Sequence, residues 1–214
     1  MILNITNGDY FDQYFHTVHQ EASVPFREAM LTGTAISPIF SEAFIKHRAS
    51  QLQTTVSHYQ EQITPFLQAI PTSNRLRLWF GEDSFCQLNL LTLLAYLEQE
   101  GYGGEISLNF IDDASFSIKK EAIPVTLGGY REMYEAILIS RKRTPVSDVI
   151  CEKAIDLYFD YLSPNGRLAQ IIKSNPHESD EQLLMRLITA SEEYGLSDLQ
   201  AMELIQKHRA KEPT

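Results

Sequence analysis

A strand–turn–helix–turn–strand pattern over residues 76–111 most constrains how this 214-residue chain can fold. The apolar stretch LRLWF at residues 76–80 runs into the turn Gly81-Glu82-Asp83-Ser84, and an apolar helix is predicted from there to about residue 99. Glycines then lead into a second strand, EISLNFI, at residues 105–111. Two neighbouring strands joined through a helix run parallel, with a right-handed crossover. The pattern therefore predicts an α/β fold with a Rossmann-like, mostly parallel sheet flanked by helices.

The flanking residues extend this pattern. ILNIT at residues 2–6 reads as a short buried strand that ends at Asn7-Gly8, and Asp9 is expected to cap a helix that starts near Tyr10. A shorter extended piece is predicted at residues 22–26. Further helices and one further strand are expected, in the order helix 41–52, helix 56–70 with a kink or restart at Thr64-Pro65, strand 124–127 and helix 130–139.

The character of the chain changes after the segment RKRTP at residues 141–145. We predict an α/β domain over residues 1–143 and a helical C-terminal region over residues 144–214, either packed on that domain or forming a small second unit. Helices are expected at residues 148–162, 179–194 and 197–208. The last two open with S-x-x-Q capping boxes, in which serine and glutamine side chains bond each other's backbone N–H groups.

Composition excludes several classes of function. The formal net charge is −10, and it is evenly spread: residues 1–147 carry 11 Lys/Arg against 16 Asp/Glu, and residues 148–214 carry 7 against 12. Neither part offers the basic face of a nucleic-acid binder, so nucleic acid is disfavoured as a partner. No signal-peptide pattern or membrane-length apolar run is visible, which predicts a cytoplasmic protein without a membrane partner. The sequence leaves homo-oligomerisation open.

The carboxyl ends of the predicted strands mark where a ligand would bind. In a parallel sheet, ligands bind beyond those ends, and the chain places carboxylates at three of them: Asp9 after Asn7-Gly8, Asp83 after the second turn, and Asp112-Asp113. Such a set could hold a divalent cation for a phosphorylated substrate, or bind the hydroxyls of a sugar. The alternative is that these residues only cap helices. No metal site is assigned from the sequence.

A phosphate at this edge would need a cation beside it, because neighbouring carboxylates repel it. Arg27 and Arg48 are the arginines that could clamp a phosphate or carboxylate, and the alternative for each is an ordinary ion pair. Trp79 is expected to act as a stacking or core aromatic. Cys86 is expected in the first turn of a helix, where the helix dipole lowers the pKa of a thiol, as a nucleophile would require. The alternative is that Cys86 is simply a small buried residue.

Several other motifs have structural explanations. Gln87 fits a capping box with Ser84, Asn89 must be hydrogen-bonded if it is buried, and His16-x-x-His19 lacks a third metal ligand. The dinucleotide-binding, P-loop, nucleophile-elbow and C-x-x-C motifs are absent. The sequence therefore identifies no cofactor.

Four segments resemble an uncharacterised bacterial family, domain of unknown function 1835. They are ITNGD, PFREAM, RASQL and LWFGEDSFCQLNLLTLLAYL, and a late YGLSD-x-Q segment also fits. The chain departs from the family pattern at Cys86, where the pattern has an acidic residue, and at Gly81-Glu82, where a glutamate–histidine pair is common. The resemblance implies an α/β fold and supplies no reaction. The positions that match the pattern are Gly8, Asp9, Arg27, Glu28, Arg48, Trp79, Asp83, Gln87 and Leu88.

The sequence thus predicts binding of a small polar or phosphorylated ligand at the C-terminal edge of the sheet. Whether the protein is an enzyme stays open; if it is one, transfer or hydrolysis on a phosphorylated or sugar-like substrate suits these residues better than redox chemistry. A non-catalytic regulatory or interaction module that uses the C-terminal helices is the alternative. The catalytic residues are not identified. The predicted ligand-binding residues are Asn7, Gly8, Asp9, Arg27, Glu28, Arg48, Trp79, Asp83 and Gln87.

Overall fold

A computed structural model describes residues 1–209 of the chain. It contains one five-stranded sheet with the strand order β2-β1-β3-β4-β5, in which the first four strands are parallel and β5 runs antiparallel to β4. The predicted α/β class, with a mostly parallel sheet, flanking helices and a helical C-terminal part, is confirmed. The strands are β1 (Ile2–Asn7), β2 (Ser23–Phe26), β3 (Arg75–Phe80), β4 (Glu105–Ile111) and β5 (Ile118–Val125).

Nine α-helices are found in residues 1–209. A π-helix, Glu135–Ile139, continues directly from α5, and short 3₁₀ turns follow α3 and α8. The helices are α1 (Asp9–His19), α2 (Glu42–Gln51), α3 (Val56–Ala69), α4 (Ser84–Gln99), α5 (Tyr130–Tyr134), α6 (Glu152–Leu162), α7 (Arg167–Ser174), α8 (Asp180–Ala190) and α9 (Asp198–Arg209).

Alternation along the strands divides the sheet into two faces. Trp79 of β3 points to the face covered by α1, where its ring lies 5.1 Å from that of Phe15. The next residue, Phe80, points to the opposite face and meets Phe26 there, with ring centroids 6.3 Å apart. Helix α4 carries a run of apolar residues that are buried on every side, as expected of a helix inside a core.

The chain forms two compact units. The first contains residues 1–82 and 86–150, and the second contains residues 83–85 together with the chain from Cys151. The predicted boundary lay after residue 143. Residues 210–214, which belong to the predicted C-terminal region, lie outside the described residues. The core of the second unit is formed by α7–α9 and the turn before α9, through Leu168, Ile172, Leu183, Leu187, Tyr194, Ala201, Leu204 and Ile205.

The last strand differs from the prediction. It was expected at residues 124–127, but β5 begins at Ile118 and includes Lys119, Lys120 and Glu121. These charged side chains are compatible with a strand because β5 lies at the edge of the sheet, where they stay solvated. A bulge also hides its periodicity, since Glu121 and Ala122 together face a single β4 residue.

Two smaller predictions also need correction, and one helix was missed. Gly8, and not Asp9, is the N-cap of α1, and Asp9 is its first residue. A restart of the chain at Thr64-Pro65 is wrong, because helix α3 continues through Pro65. Helix α7 was not predicted, although its apolar residues Leu168, Ala169 and Ile172 have helical spacing and are buried.

Candidate functional site

The strand order creates one position where ligands commonly bind. From β1 the chain crosses to β2 on one side, and it then returns past β1 to form β3 on the other side. At the C-terminal ends of β1 and β3 the connections therefore diverge, and this position, which we call the crevice, is where open α/β sheets commonly receive ligands. Asn7-Gly8-Asp9 follows β1, and Gly81 follows β3.

Asn7 ties the end of β1 to helix α4. Its side-chain Nδ2 lies 2.9 Å from the Cys86 Sγ, and its Oδ1 accepts a 3.0 Å bond from Asn89 Nδ2. Asn89 also donates to the Glu28 carbonyl oxygen at 2.6 Å and accepts from the Met30 backbone N–H at 3.0 Å. The expectation that a buried Asn89 must be hydrogen-bonded is confirmed. These bonds fix the floor of the crevice.

Cys86 is buried on that floor rather than displayed at the surface. Its side chain is in contact with Asn7 and lies 3.5 Å from the Asp113 Oδ1. The Asp113 carboxylate also rests on Gly81, since a Cβ at that glycine would stand only 1.9 Å from Asp113 Oδ2. The glycine after β3 therefore makes room for the carboxylate after β4.

Gly8, Asp9 and Arg27 form the open side of the crevice. Gly8 has a φ of 84°, and a Cβ built on it would meet nothing within 4 Å, so this backbone faces open space. Among the residues that the structure describes, no side-chain cap is found at the N-terminus of α1. The Asp9 Oδ1 accepts a 2.7 Å bond from Arg27 Nε, and the Arg27 side chain is 28% exposed. The two residues form a half-exposed ion pair beside an uncapped helix N-terminus.

Glu28 and Arg48 form a buried pair with each other. Arg48 Nη2 donates to Glu28 Oε1 at 2.8 Å, and both side chains are fully buried. The Tyr59 hydroxyl donates to the other carboxylate oxygen of Glu28, and burial together with the Glu28 charge raises the pKa of Tyr59. Arg48 further donates to three backbone carbonyls of the irregular segment after β2, those of Ala29, Thr32 and Thr34. This arrangement favours a role in holding that segment.

Trp79 and Gln87 are buried and bonded within the framework. The Trp79 indole N–H donates to Asn4 Oδ1 at 3.1 Å, and the ring is packed against the aromatic side of α1. Gln87 Nε2 donates to the Gly81 carbonyl at 2.6 Å and so holds the turn after β3.

Asp83 belongs to the second unit. A Cβ at Gly195 would lie 2.1 Å from Asp83 Oδ1, so the Asp83 carboxylate is packed directly against the backbone of this glycine. In the same unit, the Ser84 hydroxyl donates to the Ala154 carbonyl at 2.7 Å. The structure thus brings together Asn7, Gly8, Asp9 and Arg27 within the first unit and places Asp83 with the C-terminal helices.

The other acidic turns of the first unit are paired with lysines of β5. Glu82 Oε1 lies 2.9 Å from Lys120 Nζ, and Asp112 Oδ2 lies 3.2 Å from Lys119 Nζ. Bonds from the Ser115 backbone N–H and hydroxyl, together with Lys119, hold the pKa of Asp112 at about 2. These carboxylates are therefore neutralised locally by cations.

A cavity on the α1 face of the sheet was not predicted as a site. It has a volume of about 270 Å³ and is lined by Phe15, His19, Trp79 and Glu121, among other residues. Of its lining residues, only Trp79 was among the predicted ligand-binding residues. His19 was considered only together with His16, as a possible pair of metal ligands. The position of Glu121 depends on the β5 bulge, which a single sequence does not reveal.

The comparisons with known proteins add no relative. Neither a family model, nor a curated protein, nor a solved structure matches this chain. Within residues 1–209, no helix has both the length and the apolar composition needed to cross a bilayer.

Proposed function

We propose that this protein binds a small phosphorylated ligand in the crevice between the C-terminal ends of β1 and β3. The observation that carries the proposal is the guanidinium of Arg27. Among the described residues it is bonded only to Asp9, through Nε. Its Nη1 and Nη2 groups therefore keep their donors for a ligand, in the fork geometry that suits phosphate.

The start of α1 supports the same ligand chemistry. Helix N-termini attract anions through their unpaired backbone N–H groups and the helix dipole. In α1 the N-cap is Gly8, which offers no side chain to occupy those N–H groups and no Cβ to block their approach. A phosphate placed there would lie beside Arg27.

Three of the carboxylates at this edge of the sheet are paired with cations. A phosphate would be repelled by the acidic turns if their carboxylates were unpaired. In the first unit, however, Asp9 is paired with Arg27, Glu82 with Lys120 and Asp112 with Lys119. A cation thus stands beside each of these three carboxylates.

The sequence resemblance supports the proposal only in that Gly8, Asp9 and Arg27 fall on positions of the family pattern. Membership in that family stays a prediction, as do a cytoplasmic location and a transfer or hydrolysis reaction. The alternative of a regulatory module that uses the C-terminal helices also stays a prediction. We assign Glu28, Arg48, Trp79 and Gln87 to the support of the crevice rather than to direct ligand contact, because they are buried and bonded internally.

The proposal is tested by titrating inorganic phosphate into the protein while recording amide NMR shifts. We expect the amides of Gly8, Asp9 and Tyr10 to move in a saturable way. Arg27→Gln should weaken binding about tenfold, because it removes a charge-assisted bidentate contact. The phosphate affinity of Arg27→Lys should lie between those of the wild type and Arg27→Gln, because lysine keeps the positive charge but lacks the forked guanidinium.

Arg75→Gln is the matched control. Arg75 forms a similar exposed ion pair, with Glu105, at the opposite end of β3. Its loss should leave phosphate binding unchanged. Equal affinity of wild type and Arg27→Gln, or an equal loss in Arg75→Gln, would show that Arg27 is not the anion contact.

A further inference from the structure

We infer a second binding site, for a small organic cation of the alkylammonium type, in the cavity on the α1 face of the sheet. The cavity holds about 270 Å³ and lies within the first unit. Its lining residues come from α1, the chain before β2, and the α1-facing positions of β3, β4 and β5. It does not include Arg27 or the N-terminus of α1, so it is separate from the proposed phosphate site.

Three aromatic side chains line this cavity: His19 is exposed, whereas Phe15 and Trp79 are largely buried behind it. His19 stacks on Phe15 with ring centroids 4.5 Å apart and an interplanar angle of 26°. Trp79 lies 5.1 Å from Phe15 and 5.5 Å from His19. Aromatic rings attract cations through their negative faces, and tryptophan does so most strongly.

An exposed acidic residue, Glu121, lines the same cavity. It has no hydrogen-bond or ion-pair partner among residues 1–209. The second carboxylate of the lining, Glu21, is already bonded to Arg77 at 3.3 Å and to Asn4 at 3.1 Å. Of the two acidic side chains in the lining, Glu21 is therefore paired with Arg77, whereas that of Glu121 has no partner among residues 1–209.

The β5 bulge places Glu121 in this position. Leu108 pairs with Ile123 and Phe110 pairs with Lys120, so Glu121 and Ala122 share the single partner Asn109. Ala122 has a positive φ of 53°, and its backbone N–H donates to Asn109 Oδ1 at 2.9 Å. A bulge of this kind redirects the side chains around it. In a regular strand, successive side chains point to opposite faces of the sheet, so the pairing register alone would decide which face carries Glu121.

The size and charge of the cavity define the ligand class. A volume of about 270 Å³ is at the small end for ligand pockets and suits a compact molecule of few heavy atoms. Aromatic rings recognise substituted ammonium groups, and the acidic residue Glu121 lines the same cavity. We therefore expect a small alkylammonium compound, with choline and tetramethylammonium as the probes.

The chain supplies its own reporter, because Trp79 is its single tryptophan. Choline should change the Trp79 fluorescence in a saturable way, and calorimetry should give the same affinity. The uncharged analogue 3,3-dimethylbutan-1-ol has the same shape without the positive charge, and it should bind at least about tenfold more weakly. Glu121→Gln should lose a similar factor for choline.

Two variants serve as controls. Glu105→Gln removes an exposed carboxylate that is paired with Arg75, outside this cavity, and should leave choline binding unchanged. Arg27→Gln should also leave it unchanged, which separates this site from the phosphate site. Absence of saturable choline binding by both methods, equal binding of the uncharged analogue, or unchanged affinity in Glu121→Gln would each overturn the inference.

Discussion

Arg48 illustrates how a charged residue can belong entirely to the interior. Its five N–H donors correspond to five bonds, two to Glu28 and three to backbone carbonyls of Ala29, Thr32 and Thr34. The segment between β2 and α2 is long and irregular, and its carbonyls need partners. The single side chain of Arg48 therefore supplies hydrogen-bond donors for three backbone carbonyls of this segment and holds it in place.

Loss of Arg48 should be costly. We expect Arg48→Met to lower the free energy of unfolding by about 3–5 kcal/mol, because it leaves the Glu28 carboxylate buried without its partner. Arg75→Met breaks an exposed ion pair and should change it by no more than about 1 kcal/mol. Urea denaturation of both variants measures the difference, and similar small losses would contradict a central role for the buried pair.

The sequence could not distinguish Arg27 from Arg48. Both lie in segments that also contain apolar residues, VPFREAM and FIKHRASQL, and for each the sequence left an anion contact and an ordinary ion pair open. Burial separates them: the Arg48 side chain is fully buried, whereas that of Arg27 is 28% exposed. This difference arises from how the segment after β2 folds over α2, which is tertiary information. Asn89 was more predictable, because an amide inside an apolar helix must find partners.

At the scale of elements, the turn before α9 depends on one glycine. Gly195 has a φ of 68° and accommodates the Asp83 carboxylate. Two of the family-like segments, at residues 78–97 and 194–200, therefore meet at Asp83 and Gly195 inside the second unit. This contact explains why position 195 requires a glycine: any larger side chain would collide with the Asp83 carboxylate.

Three glycine-to-alanine variants distinguish the cost of a positive φ from the cost of displacing the Asp83 carboxylate at Gly195. Gly103→Ala should be nearly neutral, since Gly103 has neither a positive φ nor a close neighbour. Gly101→Ala should cost about 1–2 kcal/mol for its positive φ of 64° alone. Gly195→Ala should cost more than Gly101→Ala, because the alanine must also displace Asp83. Thermal and urea unfolding give the order, and equal values for Gly195 and Gly101 would contradict the contact.

Elements with strong local signals were predictable, and those defined by the edge of the sheet were not. Helix α4 and strands β3 and β4 follow from a long apolar run and clear turns. Strand β5 carries charges and a bulge, so its sequence shows no period of two. The candidate cavity depends on that strand and was missed for the same reason.

At the scale of the whole molecule, one exposed segment is open to attack by proteases. Residues 141–147 have no regular secondary structure, and Arg141, Lys142 and Arg143 are exposed. The segment after β2 is also irregular, but there the bonds from Arg48 hold it. Proteases cut preferentially where backbone is exposed and can be unfolded locally.

Limited trypsin digestion should therefore cut first within residues 141–143. Mass spectrometry should find one fragment that ends there and one that begins there. A variant with Gln at all three positions should resist at the same enzyme ratio. First cuts after Lys119 or Lys120 would instead indicate that β5 detaches more easily than this segment opens.

The β5 edge also bears on how copies of the chain meet at high concentration. An outer strand with unpaired backbone groups is a template on which another chain can add a strand and start an aggregate. Here β5 carries adjacent charges at Lys119, Lys120 and Glu121, a bulge at Ala122 and, at Pro124, a residue without an N–H donor. At the other edge, β2 is only four residues long and contains Pro25. Both edges of the sheet are thus poor templates for edge-to-edge pairing with a second copy of the chain.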